Sequence, residues 1–108
     1  MKITFMNVPL CTVAGDFRCT EISTEEAQEL CQQADEFGSA VGHSGAAEAI
    51  EALLNVECSV NRIQYQQPVG ESVIAIKLLA RMPEETGNIT REGMEKIGFK
   101  WYHLERIA

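Results

Sequence analysis

The sequence predicts an α/β fold, a single domain in which a central mixed β-sheet is flanked by helices. Three observations carry that expectation. The chain has 108 residues, enough to bury one core but not two. Strand-like and helix-like segments follow one another along its whole length. One segment, "SVIAIKLLA" at 72–80, is almost continuously apolar, as suits a central strand covered on both faces.

The elements follow in order. "KITFMNV" (2–8) is rich in strand formers and runs into a loop at Pro9. "AGD" (14–16) marks a turn, and "FRCTEI" (17–22) reads as a short strand. In "STEEAQELCQQA" (23–34), Ser23 and Glu26 have capping-box spacing, and Ala27, Leu30, Cys31 and Ala34 form an apolar stripe at helical period. "GSAV" (38–41) leads to "GHSG" (42–45). "AAEAIEALLN" (46–55) then repeats the helical pattern with Ala46, Ala49, Ile50, Leu53 and Leu54, ending at Asn55. "SVNRIQYQ" (59–66) alternates in polarity and reads as a half-buried strand stopped by Pro68 and Gly70. After the central strand, "RMPEETGN" (81–88) is a loop. "TREGMEKIG" (90–98) is a short helix capped by Thr90 and closed by Gly98, and "FKWYHLERI" (99–107) is a last strand. No linker, repeat or low-complexity stretch divides the chain, so residues 1–108 form one domain.

Composition narrows the function. The net charge of −7, from 16 acidic and 9 basic residues, repels long polyanions and argues against DNA binding. It leaves room for a small phosphate-bearing ligand held by a few arginines and a helix N-terminus. No apolar run approaches the roughly 20 residues needed to cross a bilayer, and the N-terminus lacks a signal-peptide pattern. The four cysteines, Cys11, Cys19, Cys31 and Cys58, form no CxxC pair and no Cys/His cluster, so neither zinc nor another cofactor is expected. Cys31 and Cys58 sit among apolar neighbours and read as core residues of a protein in a reducing cytoplasm.

His43 stands between Gly42 and the start of a helix, where unpaired N–H groups and the positive end of the helix dipole favour an anion. Ser44 can cap those groups, and Gly42 and Gly45 allow a ligand to come close. A histidine at this rim either caps the loop or gives a proton to a leaving oxygen. Arg62 is either a solvated strand charge or a planar phosphate donor. Arg81 and Glu84, at the exit of the most buried strand, form either a loop ion pair or a pair that works on an imidazole. Asn7 is a turn former or a ligand donor, and His103 reads as structural.

Taken together, "SAVGHSG", "AIEALLNVECSVNRIQ" and "IAIKLLARMPEETG" resemble the viral anti-CRISPR ring nuclease family of archaeal viruses, bacteriophages and mobile elements. The resemblance covers most of the chain. It implies a homodimer whose subunits form a cleft for cyclic tetra-adenylate, the second messenger of type III CRISPR immunity. It further implies metal-independent cleavage to linear di-adenylates with 2′,3′-cyclic phosphate ends. His43 matches the family's histidine and would act as general acid, with Glu84 orienting it and Arg81 neutralising phosphate charge. Asn7, Gly42, Ser44 and Arg62 would bind the substrate. Two departures stand out: relatives often carry an acidic residue and then Ser-Thr after Gly-His, where this chain has Ser44, Gly45 and Ala46. The "RMPEETG" run also has one extra residue before its glycine. A protein that sequesters the ring uncut, or a dimer that binds a host protein, are the rival readings.

Overall fold

The first strand of the chain lies inside the sheet rather than at its border. β1 (Lys2–Met6) pairs in parallel with β3 (Glu36–Ser39) on one side and with β4 (Ser72–Leu78) on the other. β5 (Phe99–Arg106) runs antiparallel to β4, and β2 (Phe17–Ile22) runs antiparallel to β5. The five strands are ordered β2-β5-β4-β1-β3, a mixed sheet as expected. The computed structural model describes residues 1–79 and 91–108, Arg91 and Glu92 by their backbone alone.

Three helices pack against one face of this sheet: α1 (Thr24–Gln33), α2 (Ser44–Leu54) and α3 (Arg91–Ile97). Strand alternation sorts the side chains between the two faces. Ile3, Phe5, Ile74, Ile76 and Trp101 point to the helices and meet Ala27, Cys31, Ala46, Ile50, Leu53 and Met94 there. Val73, Ala75, Met6 and Leu104 point the other way and pack with Phe17, Ala40 and Tyr65. Residues Ser72 to Ile76 of β4 are all buried, so the apolar run does mark a strand covered on both sides. Among the described residues, irregular chain covers this second face instead.

That cover corrects one expectation. Residues 59–66 form no strand: Val60 makes a single isolated bridge to Val41, and the chain continues irregularly across the sheet. The residue that anchors it is Gln67, fully buried, whose Nε2 donates to the carbonyls of Glu71 (2.9 Å) and Leu104 (3.0 Å). The Gln67 N–H donates to Thr12 Oγ1, and Arg106 Nη1 donates to the Gln67 carbonyl. These bonds supply the partners that a ladder would otherwise give. Nearby, Tyr65 donates to Glu71 Oε2, and burial, aided by that carboxylate, pushes its hydroxyl up to about 12.

A second correction is β3, a four-residue strand where the sequence suggested only a lead-in to the next helix. The helix termini follow local chemistry more closely. Ser23 and Glu26 close both bonds of the capping box at α1, at 3.1 and 3.0 Å. Ser23→Ala should therefore lower stability by about 1 kcal/mol, read as a fall in the urea midpoint at unchanged slope. Gly98 ends α3 with φ +83°, a left-handed backbone angle that favours glycine. Cys31 and Cys58 are buried as expected, and all four cysteines are free thiols.

Candidate functional site

β1, β3 and β4 are mutually parallel, so their carboxyl ends share one edge of the sheet, a common place for ligands in α/β folds. From that edge β3 passes through Ala40, Val41, Gly42 and His43 into α2. Gly42 is held through both of its backbone polar groups. Its N–H donates to Asn7 Oδ1 (3.3 Å), just beyond the end of β1, and its carbonyl accepts from Arg62 Nε (2.9 Å). Residues distant in sequence thus meet at one glycine.

His43 is the N-cap of α2, with extended backbone angles, and its Nδ1 accepts the Gly45 N–H at 3.1 Å. The imidazole does here what Asn or Asp usually does. Because Nδ1 is the acceptor, the bond assigns the ring proton to Nε2. Ser44 was expected to cap; it is instead the first, exposed residue of the helix. The helix begins two residues earlier than the apolar period indicated, because the cap sets its start.

The electrostatics of this turn differ from those of α1. The first turn of α1 carries Glu25 and Glu26, whereas that of α2 has no acidic residue. In so acidic a chain, the positive end of α2 is left without a neutralising carboxylate of its own. Arg62 is exposed, and among the described residues its guanidinium makes only the bond to Gly42. A Cβ on Gly42 would meet Arg62 Cγ at 3.6 Å, an ordinary contact. Gly42→Ala should therefore fold as well as wild type. Weaker ligand binding by that variant would then report a ligand resting on the Gly42 backbone.

Five of the expected site residues, Asn7, Gly42, His43, Ser44 and Arg62, thus gather where α2 begins. Arg81 and Glu84 lie outside the described residues. Sequence reasoning missed Asn61, which fixes the Arg62 segment: its N–H donates to the Val41 carbonyl and its Nδ2 to the Ser39 carbonyl, both at 2.8 Å. Its only signal is the Val41–Val60 bridge, a tertiary contact that no local pattern announces. His103 lies away from this edge, part-buried, with Nε2 2.9 Å from Ser72 Oγ and Nδ1 3.8 Å from Glu105. Among the described residues no group of three His, Cys, Asp or Glu could hold a metal ion.

Residues 3–101 match the model of the STIV B116-like family. The chain belongs to that family. It is 35% identical over 101 residues to the uncharacterized protein ORF117 of Acidianus two-tailed virus, spanning 93% of this chain and 86% of that protein. It is also 35% identical over 88 residues to protein 26 of Sulfolobus islandicus filamentous virus, spanning 82% and 74%. YddF of Bacillus subtilis is 26% identical over 108 residues, 99% of each chain. The solved structure of B116 from Sulfolobus turreted icosahedral virus superposes with a TM-score of 0.79, covering 98% of this chain and 100% of that one. At 14% identity that likeness establishes the α/β fold and nothing about activity. No helix among the described residues is long and apolar enough to cross a membrane.

Proposed function

We propose that this B116-like chain is a metal-independent ring nuclease that opens cyclic tetra-adenylate and so counteracts type III CRISPR immunity. One observation supports it above the others: at the N-terminus of α2, whose first turn carries no acidic residue, His43 caps the helix next to Gly42, which Asn7 and Arg62 hold. RNA carries its own nucleophile. The ribose 2′-OH attacks the adjacent phosphorus, the P–O5′ bond breaks, the 2′-OH proton leaves, and His43 protonates O5′. Two such cuts give linear di-adenylates ending in 2′,3′-cyclic phosphate. Arg81 would stabilise the phosphorane charge, Arg62 would anchor a backbone phosphate, and Glu84 would orient the imidazole. A two-fold homodimer suits a four-nucleotide ring with equivalent phosphates. The setting would be a prokaryotic cytoplasm, with the gene carried by a virus, prophage or mobile element.

The cap adds a step to this mechanism. An imidazole that accepts the Gly45 N–H on Nδ1 has no acidic proton to give until Nδ1 is itself protonated. A phosphate oxygen seated on the α2 amides would take over the Gly45 N–H. It would thereby free Nδ1 to face the bound phosphate. Substrate binding and the freeing of that nitrogen are then one event.

Purified protein incubated with cyclic tetra-adenylate in EDTA tests the reading. Chromatography should show di-adenylate with 2′,3′-cyclic phosphate, and a ring with 2′-deoxyribose should stay intact. Arg62→Ala should weaken ring binding by roughly tenfold, the scale of one lost charged hydrogen bond; an unchanged dissociation constant would remove Arg62 from the site. The second reading, a protein that sequesters the ring uncut, draws support from His43 already having a structural task as the α2 cap. An intact ring together with a ligand-dependent rise in melting temperature would favour it.

A further inference from the structure

β3 is the outermost strand on its side of the sheet, and a cavity of about 760 Å³ opens beside it. Phe37, Gly38 and Ser39 line it together with Glu51, Glu57 and Cys58. Consecutive side chains of a strand point to opposite faces, so a cavity that touches three in a row runs along the main-chain edge. From Ser39 onward the protein closes this edge itself. Ser39 Oγ donates to the Ser59 carbonyl, Asn61 Nδ2 donates to the Ser39 carbonyl, and Val41 bridges Val60. Along residues 36–38 no described segment pairs with it.

Such an edge is a template for another strand, and natural proteins commonly guard it with lysine, proline or a bulge. Glu36–Ser39 has none of these, and its four-residue length and the charge of Glu36 are its only guards. The chemistry of the groove selects what could add there. Glu51 and Glu57 are exposed, neither has a cationic partner among the described residues, and no basic residue lines the cavity. The Phe37 ring, stacked on Phe5 at a centroid distance of 5.7 Å, remains 42% exposed. A half-open phenyl beside two carboxylates suits an aliphatic stem that ends in an ammonium or guanidinium group.

We propose that the β3 edge docks an extended, basic segment of a partner protein, which adds as a sixth strand and lays a Lys or Arg against Glu51 and Glu57. Main-chain bonds to β3 would supply affinity, the carboxylates the choice of partner, and the net charge of −7 the steering. The proposal is independent of the ring nuclease reading, because none of these residues belongs to the α2 site.

The test is an NMR titration of isotope-labelled protein with an alternating Lys–Val heptapeptide, beside its Glu–Val counterpart. Amide shifts should concentrate on residues 36–39 and 57–59 and appear with the Lys peptide alone. Glu51→Lys with Glu57→Lys, both at exposed positions, should weaken binding about tenfold or more. Shifts elsewhere, equal binding of both peptides, or wild-type affinity in the double variant would overturn the proposal. It also falls if the same amides shift with protein concentration alone while sedimentation reports a dimer, because a second copy then occupies the edge.

Discussion

His43→Ala should lower cyclic tetra-adenylate turnover by about two orders of magnitude or more. It should also lower folding stability by about 1 kcal/mol, because the same ring nitrogen caps α2. The two losses can be separated. Asparagine is among the best N-caps but has no group that titrates near neutrality, so His43→Asn should keep the stability and share the loss of turnover. Product chromatography and urea unfolding on the same three preparations read both quantities. Turnover by His43→Asn at the wild-type rate would mean that the imidazole is a cap and no more. Equal stability in His43→Ala would mean instead that the Gly45 N–H finds another partner, such as water.

Trp101→Ala should be the most damaging single change to the fold, at about 3–5 kcal/mol. Trp101 is 1% exposed and sits on the helix face of β5. Its ring meets Phe99 edge-on at 6.1 Å, and Nε1 donates to Thr24 Oγ1 at 3.0 Å, tying β5 to the first turn of α1. Domains of this size have about 5–15 kcal/mol in all, so the variant should lie close to the limit of folding at 37 °C. Trp101→Phe keeps much of the volume and removes the indole donor, and should fall well short of that loss. Trp101 is the chain's one tryptophan, so circular dichroism rather than intrinsic tryptophan emission must follow the transition. A loss below about 1 kcal/mol in Trp101→Ala would contradict the packing described for this strand.

Elements that carry their own local signal were legible in the sequence. α1 announces itself by Ser23 and Glu26, β4 by an unbroken apolar run, and α3 by Gly98. What stayed hidden depends on partners far along the chain. "EFGS" has little strand character, and it is a strand because β1 offers a parallel ladder. "SVNRIQYQ" has the alternation of a strand, yet its polar side chains and Gln67 find partners among loops and strand ends instead. The candidate site divides in the same way. Gly42, His43 and Ser44 are adjacent and readable together, yet their pattern leaves the cap open between Ser44 and His43, since the geometry that lets Nδ1 reach the Gly45 N–H is not a residue pattern. That Asn7 and Arg62 grip the two ends of one residue, Gly42, is a fact of topology.

The central position of β1 also bears on how the chain reaches this state. Phe5 pairs with Ser39 on one side and Ile74 on the other, and Phe17 waits for Arg106. Few of the sheet's pairings are local, so loop-closure entropy opposes each until late in the reaction. The expected kinetics are slow for so small a domain, milliseconds to seconds rather than microseconds. A nascent chain that stops short of β5 leaves β2 without a neighbour and one flank of β4 bare. Such intermediates expose strand edges at the stage when association with other chains is easiest, which makes the order of synthesis itself a hazard for this topology.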